Sequence, residues 1–196
     1  MNSSDLFYVR YLQLKTFTGS RKNLSNLFLL ESEIFRFYPK TEEIILSKIK
    51  LKWFYEEVEK RNKSNFILKN FDSLELFCKD IKFLILKFDE IIDNPINMKT
   101  LNLFKDFNIG YEKLTKALKL NFDTSYFFQL IYMIYANEIK INKSQIIFLT
   151  KEYSKNQRNL SRLERIFVEL FLNQNLKKKI SRKKYLYYII KSYFHK

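Results

Sequence analysis

The sequence predicts an all-α protein, a single-domain bundle of about nine helices, and three observations predict it. Glycine and proline are almost absent, two of each in 196 residues, which leaves little punctuation for sheets and tight hairpins. Apolar residues recur at three- and four-residue spacing through most of the chain. The breaks between these runs carry helix-capping residues such as Ser20, Asp72, Asp123 and Ser181.

The first helix is expected over 5–16, with Leu6, Val9 and Leu12 inward. Phe17-Thr18-Gly19-Ser20 breaks it, and Ser20 caps the second helix, whose stripe runs Leu24, Leu27, Phe28, Glu31, Ile34, Phe35 and Tyr38. Pro39 ends that helix and Thr41 starts the third, with Glu42 and Glu43 favourable in its first turn. The third helix is expected to bury Ile45, Ile49, Trp53 and Val58. After a polar connection over 62–70, Asp72 and Glu75 form a capping-box pattern ahead of Leu74, Phe77, Cys78, Ile81, Leu84, Ile85, Phe88 and Ile92. Asn94-Pro95 stops this helix. The next, over 99–120, carries Leu101, Phe104, Phe107, Tyr111, Leu114 and Leu118, with Gly110 marking a close crossing. Asp123 is expected to cap a helix over 124–139 that is apolar almost all round, as a central helix is. Helices over 144–153 and 158–172 follow. The run KKKISRKK, residues 177–184, precedes a last helix with Tyr185, Leu186, Ile189, Ile190 and Tyr193.

A composition of 46% hydrophobic and 29% charged residues is that of a folded domain, here one domain over 1–196. The abundance of Lys, Ile, Asn and Phe is what an AT-biased genome encodes. A formal net charge of +15 attracts polyanions or anionic membrane surfaces, unless it is simply a solvated lysine-rich surface. The single cysteine, Cys78, lies on an apolar stripe and is expected in the core, and the single histidine, His195, is penultimate. That excludes a disulfide framework within the chain and a His-rich zinc site, and disfavours a Cys/His catalytic pair. Two glycines cannot build a Gly-rich phosphate loop, and nucleophile-elbow and Rossmann patterns are absent. The N-terminus MNSSDLFYVRYLQ lacks the build of a signal peptide, and no apolar run reaches the ~18–20 residues that span a bilayer. The expected location is cytoplasmic, with at most a peripheral membrane contact.

One stretch carries a family resemblance. Arg21, Leu24, Leu27-Phe28, Glu33-Ile34 and Ile49-Lys50-Leu51-Lys52-Trp53-Phe54, preceded by Asp5 and Tyr11-Leu12, stand in the order of the opening segment of squalene/phytoene synthases. Over roughly the first 60 residues the chain resembles that family, which implies a shortened isoprenoid-synthase-like bundle. The family joins prenyl diphosphates head to head, using Mg²⁺ held by two Asp-rich motifs on facing helices. Carboxylates at i, i+4 place two oxygen ligands on one helix face. The chain departs from this pattern. Glu31 and Glu33 are two apart and diverge. Glu138, Glu152, Glu164 and Glu169 offer no i, i+4 pair. No catalytic, cofactor-binding or metal residue is therefore assigned, and no cofactor is expected.

The resemblance is closest to the family's non-catalytic branch, which includes a complex I assembly factor. It implies a pseudoenzyme acting by contact with a partner protein or the inner membrane surface. A first alternative keeps residual Mg²⁺-dependent prenyl-diphosphate binding or transfer at Asp89 and Asp93, which are at i, i+4 ahead of Asn94-Pro95. A second is a basic helical lipid- or RNA-binding protein. It rests on the basic run and the aromatic helix behind it, and nucleic acid is the less expected partner because no RNA-binding signature accompanies them.

Overall fold

A computed structural model describes residues 8–39, 44–71, 74–173 and 181–194. Among them are nine α-helices and no strand: α1 (Tyr8–Thr16), α2 (Arg21–Arg36), α3 (Ile44–Glu59), α4 (Leu74–Ile92), α5 (Met98–Ala117), α6 (Tyr126–Ala136), α7 (Lys143–Asn156), α8 (Arg162–Asn173) and α9 (Arg182–Phe194). Short 3₁₀ turns stand at Leu68–Asn70 and Gln157–Asn159. The all-α bundle predicted from periodicity is the observed fold.

The helix starts follow from capping chemistry. Ser20 accepts from the Asn23 amide at 3.4 Å and opens α2, and Asn97 accepts from the amides of Lys99 and Thr100 to open α5. The cap of α6 is Ser125, whose hydroxyl accepts from the Phe127 amide at 3.2 Å. The expected cap at Asp123 is thereby corrected: the chain stays extended two residues longer, and Thr124 puts its hydroxyl into an internal cluster described below. Asn142 and Gln145 form a reciprocal capping box at α7. A 3₁₀ turn takes up 157–159, so α8 begins at Arg162 instead of near Arg158. Leu6, the start at Thr41 to Glu43, the Asp72–Glu75 box, the lysines at 177–179 and His195 all lie outside the described residues.

Three helices end with a residue in the left-handed region, at Arg61, Lys119 and Glu138, each with φ 54°. The pattern is complete at α5, where the Lys119 amide donates to the Lys116 carbonyl and the Leu120 amide to Thr115. Glycine is the usual occupant of such positions. A chain with two glycines spends neither of them there. Gly110 instead lies where α5 crosses α4: a Cβ at that position would stand 2.5 Å from the Phe83 ring and 3.0 Å from Leu84. The expected close crossing is observed.

The interior is aromatic. Phe35 of α2 lies 5.6 Å from Phe88 of α4, 6.0 and 5.7 Å from Phe104 and Phe107 of α5, and 5.4 Å from Tyr132 of α6. Phe167 of α8 meets Phe128 and Tyr135 of α6 and Tyr185 of α9 at 5.1–6.2 Å. Such ring pairs add about 0.5–1.5 kcal/mol each beyond the area they bury. The most extensive helix pair is α4 with α5, and α3 lies on the outer side of α4. At the other end α9 closes on α1 and α8, where Tyr185 donates to the Leu163 carbonyl at 2.6 Å.

The expected buried face of α3 is corrected. Ser47, Leu51, Phe54 and Val58 face the core. Of the residues expected there only Val58 is buried, while Ile45, Ile49 and Trp53 are 77%, 41% and 62% exposed. α3 carries two apolar stripes, roughly 170° apart at 3.6 residues per turn, and α4 covers only one of them. On α9, likewise, Tyr185 and Ile189 are buried but Leu186 and Ile190 are exposed.

Candidate functional site

Two places depart from the rule of apolar inside and polar outside, and a third holds the acids singled out in the sequence.

The first is a charged cluster in the middle of the bundle. Arg10 of α1 is fully buried and donates all five of its N–H groups. Nε and Nη2 grip Glu31 of α2 in a bidentate pair at 2.7 and 2.6 Å. Nη2 also reaches Thr124 at 3.1 Å, and Nη1 reaches Gln13 at 2.9 Å and Glu164 of α8 at 3.4 Å. The guanidinium carbon lies 4.8 Å from the centre of the Phe28 ring and 4.7 Å from that of Phe128. Burial works against its charge, but the field and hydrogen bonds of Glu31, with Glu164 behind, outweigh that and hold its pKa above the usual arginine value.

The carboxylates are satisfied in turn. Glu31 accepts from Gln129 of α6 at 3.0 Å, and Glu164 accepts from Thr124 at 2.6 Å and from the Ser161 amide at 3.0 Å. Glu164 also sits in the first turn of α8, where the helix dipole favours a negative charge. The cluster thus ties four helices together. Two neutral groups nearby are less well served: Tyr111 Oη and Gln129 Oε1 are buried without a hydrogen-bond partner among the described residues.

Sequence reasoning missed this cluster as a unit, although it left two signals. Glu31 lies on the apolar stripe of α2, where a carboxylate requires a buried partner. Ser161-Arg-Leu-Glu164 is a capping box, which fixes Glu164 at the start of α8. As expected, Glu31 and Glu33 diverge: Glu33 points outward and pairs with Arg36 at 3.2 Å.

The third place is the end of α4. Asp89 and Asp93 share a helix face, as their spacing requires, with side chains 43% and 50% exposed. The Lys48 ammonium of α3 sits on both, 2.6 Å from Asp93 and 3.8 Å from Asp89. Its hydrogen bond to Asp93, reinforced by the charges of both aspartates, raises its pKa above the ordinary lysine value. A lysine stands where the first alternative would put a cation, and the acids face solvent instead of a chamber between helices. Among the described residues no group of three or more His, Cys, Asp or Glu side chains is placed to share a metal ion. A surface groove of about 410 Å³ between α3 and α4 runs past Lys48, Lys52, Tyr55, Ile85, Leu86 and Asp89.

The remaining place is the outward stripe of α3. Ile45, Ile49 and Trp53 follow one another at four-residue intervals, with Leu46 beside them and Leu86 of α4 exposed across the groove. Cys78, expected in the core, is half-buried and donates to the Val58 carbonyl at 3.3 Å. Among the described residues no helix is long and apolar enough to cross a membrane.

Comparison of the chain with protein-family models, with curated proteins and with solved structures finds no match.

Proposed function

We propose that the protein works by contact and not by catalysis, as an assembly or scaffolding factor on the surface of an anionic inner membrane. In this proposal it is a pseudoenzyme diverged from the squalene/phytoene synthases, the family its first 60 residues resemble. The observation that carries it is how the acids are used. Two buried carboxylates, Glu31 and Glu164, are taken up by one arginine in the middle of the bundle, a third, Glu152, by Lys155 on its own helix, and the paired surface aspartates by one lysine. Prenyl transfer would need carboxylates from two helices facing a shared chamber, free to take Mg²⁺. Here aromatic rings fill the region between α2, α4, α5 and α6, and the Arg10 cluster fills that between α1, α2, α6 and α8. The net charge of +15 and the uncovered apolar stripe of α3 supply the contact side of the argument.

The test has two arms. The purified protein is incubated with farnesyl or geranylgeranyl diphosphate and Mg²⁺, and its flotation is measured with vesicles of phosphatidylcholine alone and with phosphatidylserine added. Flotation that depends on phosphatidylserine, without product, is the expected result. Turnover of either diphosphate overturns the non-catalytic half, and failure to float on either vesicle overturns the membrane half.

A further inference from the structure

We infer that the outward face of α3, centred on Ile45, Ile49 and Trp53, is the surface that docks on an anionic phospholipid bilayer. The inference rests on the membrane half of the function proposed above and assigns the face that makes the contact.

The geometry is that of a helix lying in an interface. Its inner stripe, Leu51, Phe54 and Val58, anchors it to α4, and its outer stripe is apolar and uncovered among the described residues. Exposed lysines flank the outer stripe on both sides, Lys50 on one edge and Lys52 on the other. Lysine stems can lie along an apolar surface while their ammonium groups reach lipid phosphates. A tryptophan belongs at the same level of a bilayer.

Glu56 and Glu59 of its last turns pair with Lys60 at 3.7 Å and Lys82 at 2.7 Å, while Glu57 accepts from the neutral Asn62 amide group at 2.5 Å and keeps its charge. Lys50 and Lys52 are exposed and meet no carboxylate among the described residues. Two exposed ammonium groups thus flank the stripe on a chain of net charge +15, and each lysine brought to an anionic surface strengthens binding roughly fivefold.

Other occupants fit less well. The stripe is the convex face of one helix, and the groove beside it is edged by Lys48, Lys52 and Asp89. A second copy would bring another +15 charge against the same lysines. The exposed face of α9 is the internal rival. There Tyr188, Lys184 and Lys191 border a groove that also holds the carboxylate of Glu169.

Trp53 is the only tryptophan in the chain, so it reports on this face alone. Its emission and the flotation of the protein are followed as phosphatidylserine vesicles are added. The variants are Ile45→Ser/Ile49→Ser, which keeps the reporter, Ile45→Ser/Ile49→Ser/Trp53→Ser, and Leu186→Ser/Ile190→Ser on α9. Helical circular dichroism and thermal midpoint serve as the control for folding. The expected result is a shift of Trp53 emission to shorter wavelength on vesicles, at least tenfold weaker binding of the triple variant, and unchanged binding of the α9 variant.

Flotation without an emission shift, with binding lost only in the α9 variant, overturns the assignment to α3 and leaves the membrane reading standing. No flotation at all overturns both. A wild-type dimer in light scattering that the triple variant dissolves, or an RNA or acidic protein that shifts Trp53 where vesicles do not, overturns the lipid as occupant.

Discussion

The Arg10 cluster and the outer stripe of α3 are mirror images: charges where the fold is dry, and large apolar side chains where it is wet. Both depart from the usual partition of residues, and the difference between them lies in their partners. Every donor of Arg10 is used, and Glu31 and Glu164 are each held by several donors. Ile45, Ile49 and Trp53 have no such cover among the described residues. A complete set of partners marks a structural device that holds α1, α2, α6 and α8 in one arrangement. A missing set marks a surface shaped for something outside the chain.

The comparison breaks most sharply at Arg10. Arg10→Met leaves Glu31 and Glu164 buried without their counter-charge and is expected to lower stability by about 3–5 kcal/mol in urea or thermal unfolding. A loss below about 1 kcal/mol would mean that the interior is wet enough to solvate the carboxylates.

A smaller effect of opposite sign is expected beside the cluster. Tyr111→Phe removes a buried hydroxyl with no partner among the described residues and is expected to stabilise by about 1 kcal/mol. Destabilisation instead would show that the hydroxyl holds an internal water. The same phenol gives the interior its pH response. Burial, with Glu31 adding to it, raises the pKa of Tyr111 well above 10, and burial likewise raises that of Tyr132. The folded state therefore keeps protons that the unfolded chain loses near pH 10. The stabilisation is complete below that value and falls as pH rises through the folded pKa. Unfolding free energy is expected to decline above about pH 10, less steeply in Tyr111→Phe.

On the surface the expected changes shrink. Lys48→Met, which removes the bridge to Asp89 and Asp93, should alter stability by no more than about 1 kcal/mol, since half-exposed ion pairs are largely screened. Metal-dependent stabilisation of that variant by Mg²⁺ would revive the two aspartates as a cation site. The stripe substitutions on α3 should lower stability by no more than about 1 kcal/mol, because these side chains are already 41–77% exposed. A larger loss would show that the stripe is covered by the chain itself.

How far the sequence reached follows the same division. The stripes of α2, α4 and α5 were legible because each has one apolar face and one polar face, so periodicity alone orients the helix. In α6 apolar residues surround the axis, and its central position was correctly inferred, although its cap at Ser125 was not. In α3 periodicity offered two solutions, 45/49/53 and 47/51/54/58. Trp53 and the isoleucines drew the choice to the wrong one, since Ser47 marks the true inner face as weakly apolar. Only tertiary packing against α4 decides it. The Arg10 cluster was half legible: Glu31 on its stripe demanded a cation, but nothing local points to a partner 21 residues earlier on another helix. For Asp89 and Asp93 the sequence showed that the two acids share a face, and the structure adds the Lys48 that occupies them.

Collisional quenching of Trp53 on phosphatidylserine vesicles tests the central claim most directly, because it asks where the uncovered stripe goes when the protein is bound. With the outer face of α3 seated in the interface, lipids brominated in the upper acyl chain quench Trp53 and aqueous iodide no longer reaches it. A protein that floats with its vesicles while Trp53 stays open to iodide and untouched by brominated lipid would contradict the assignment.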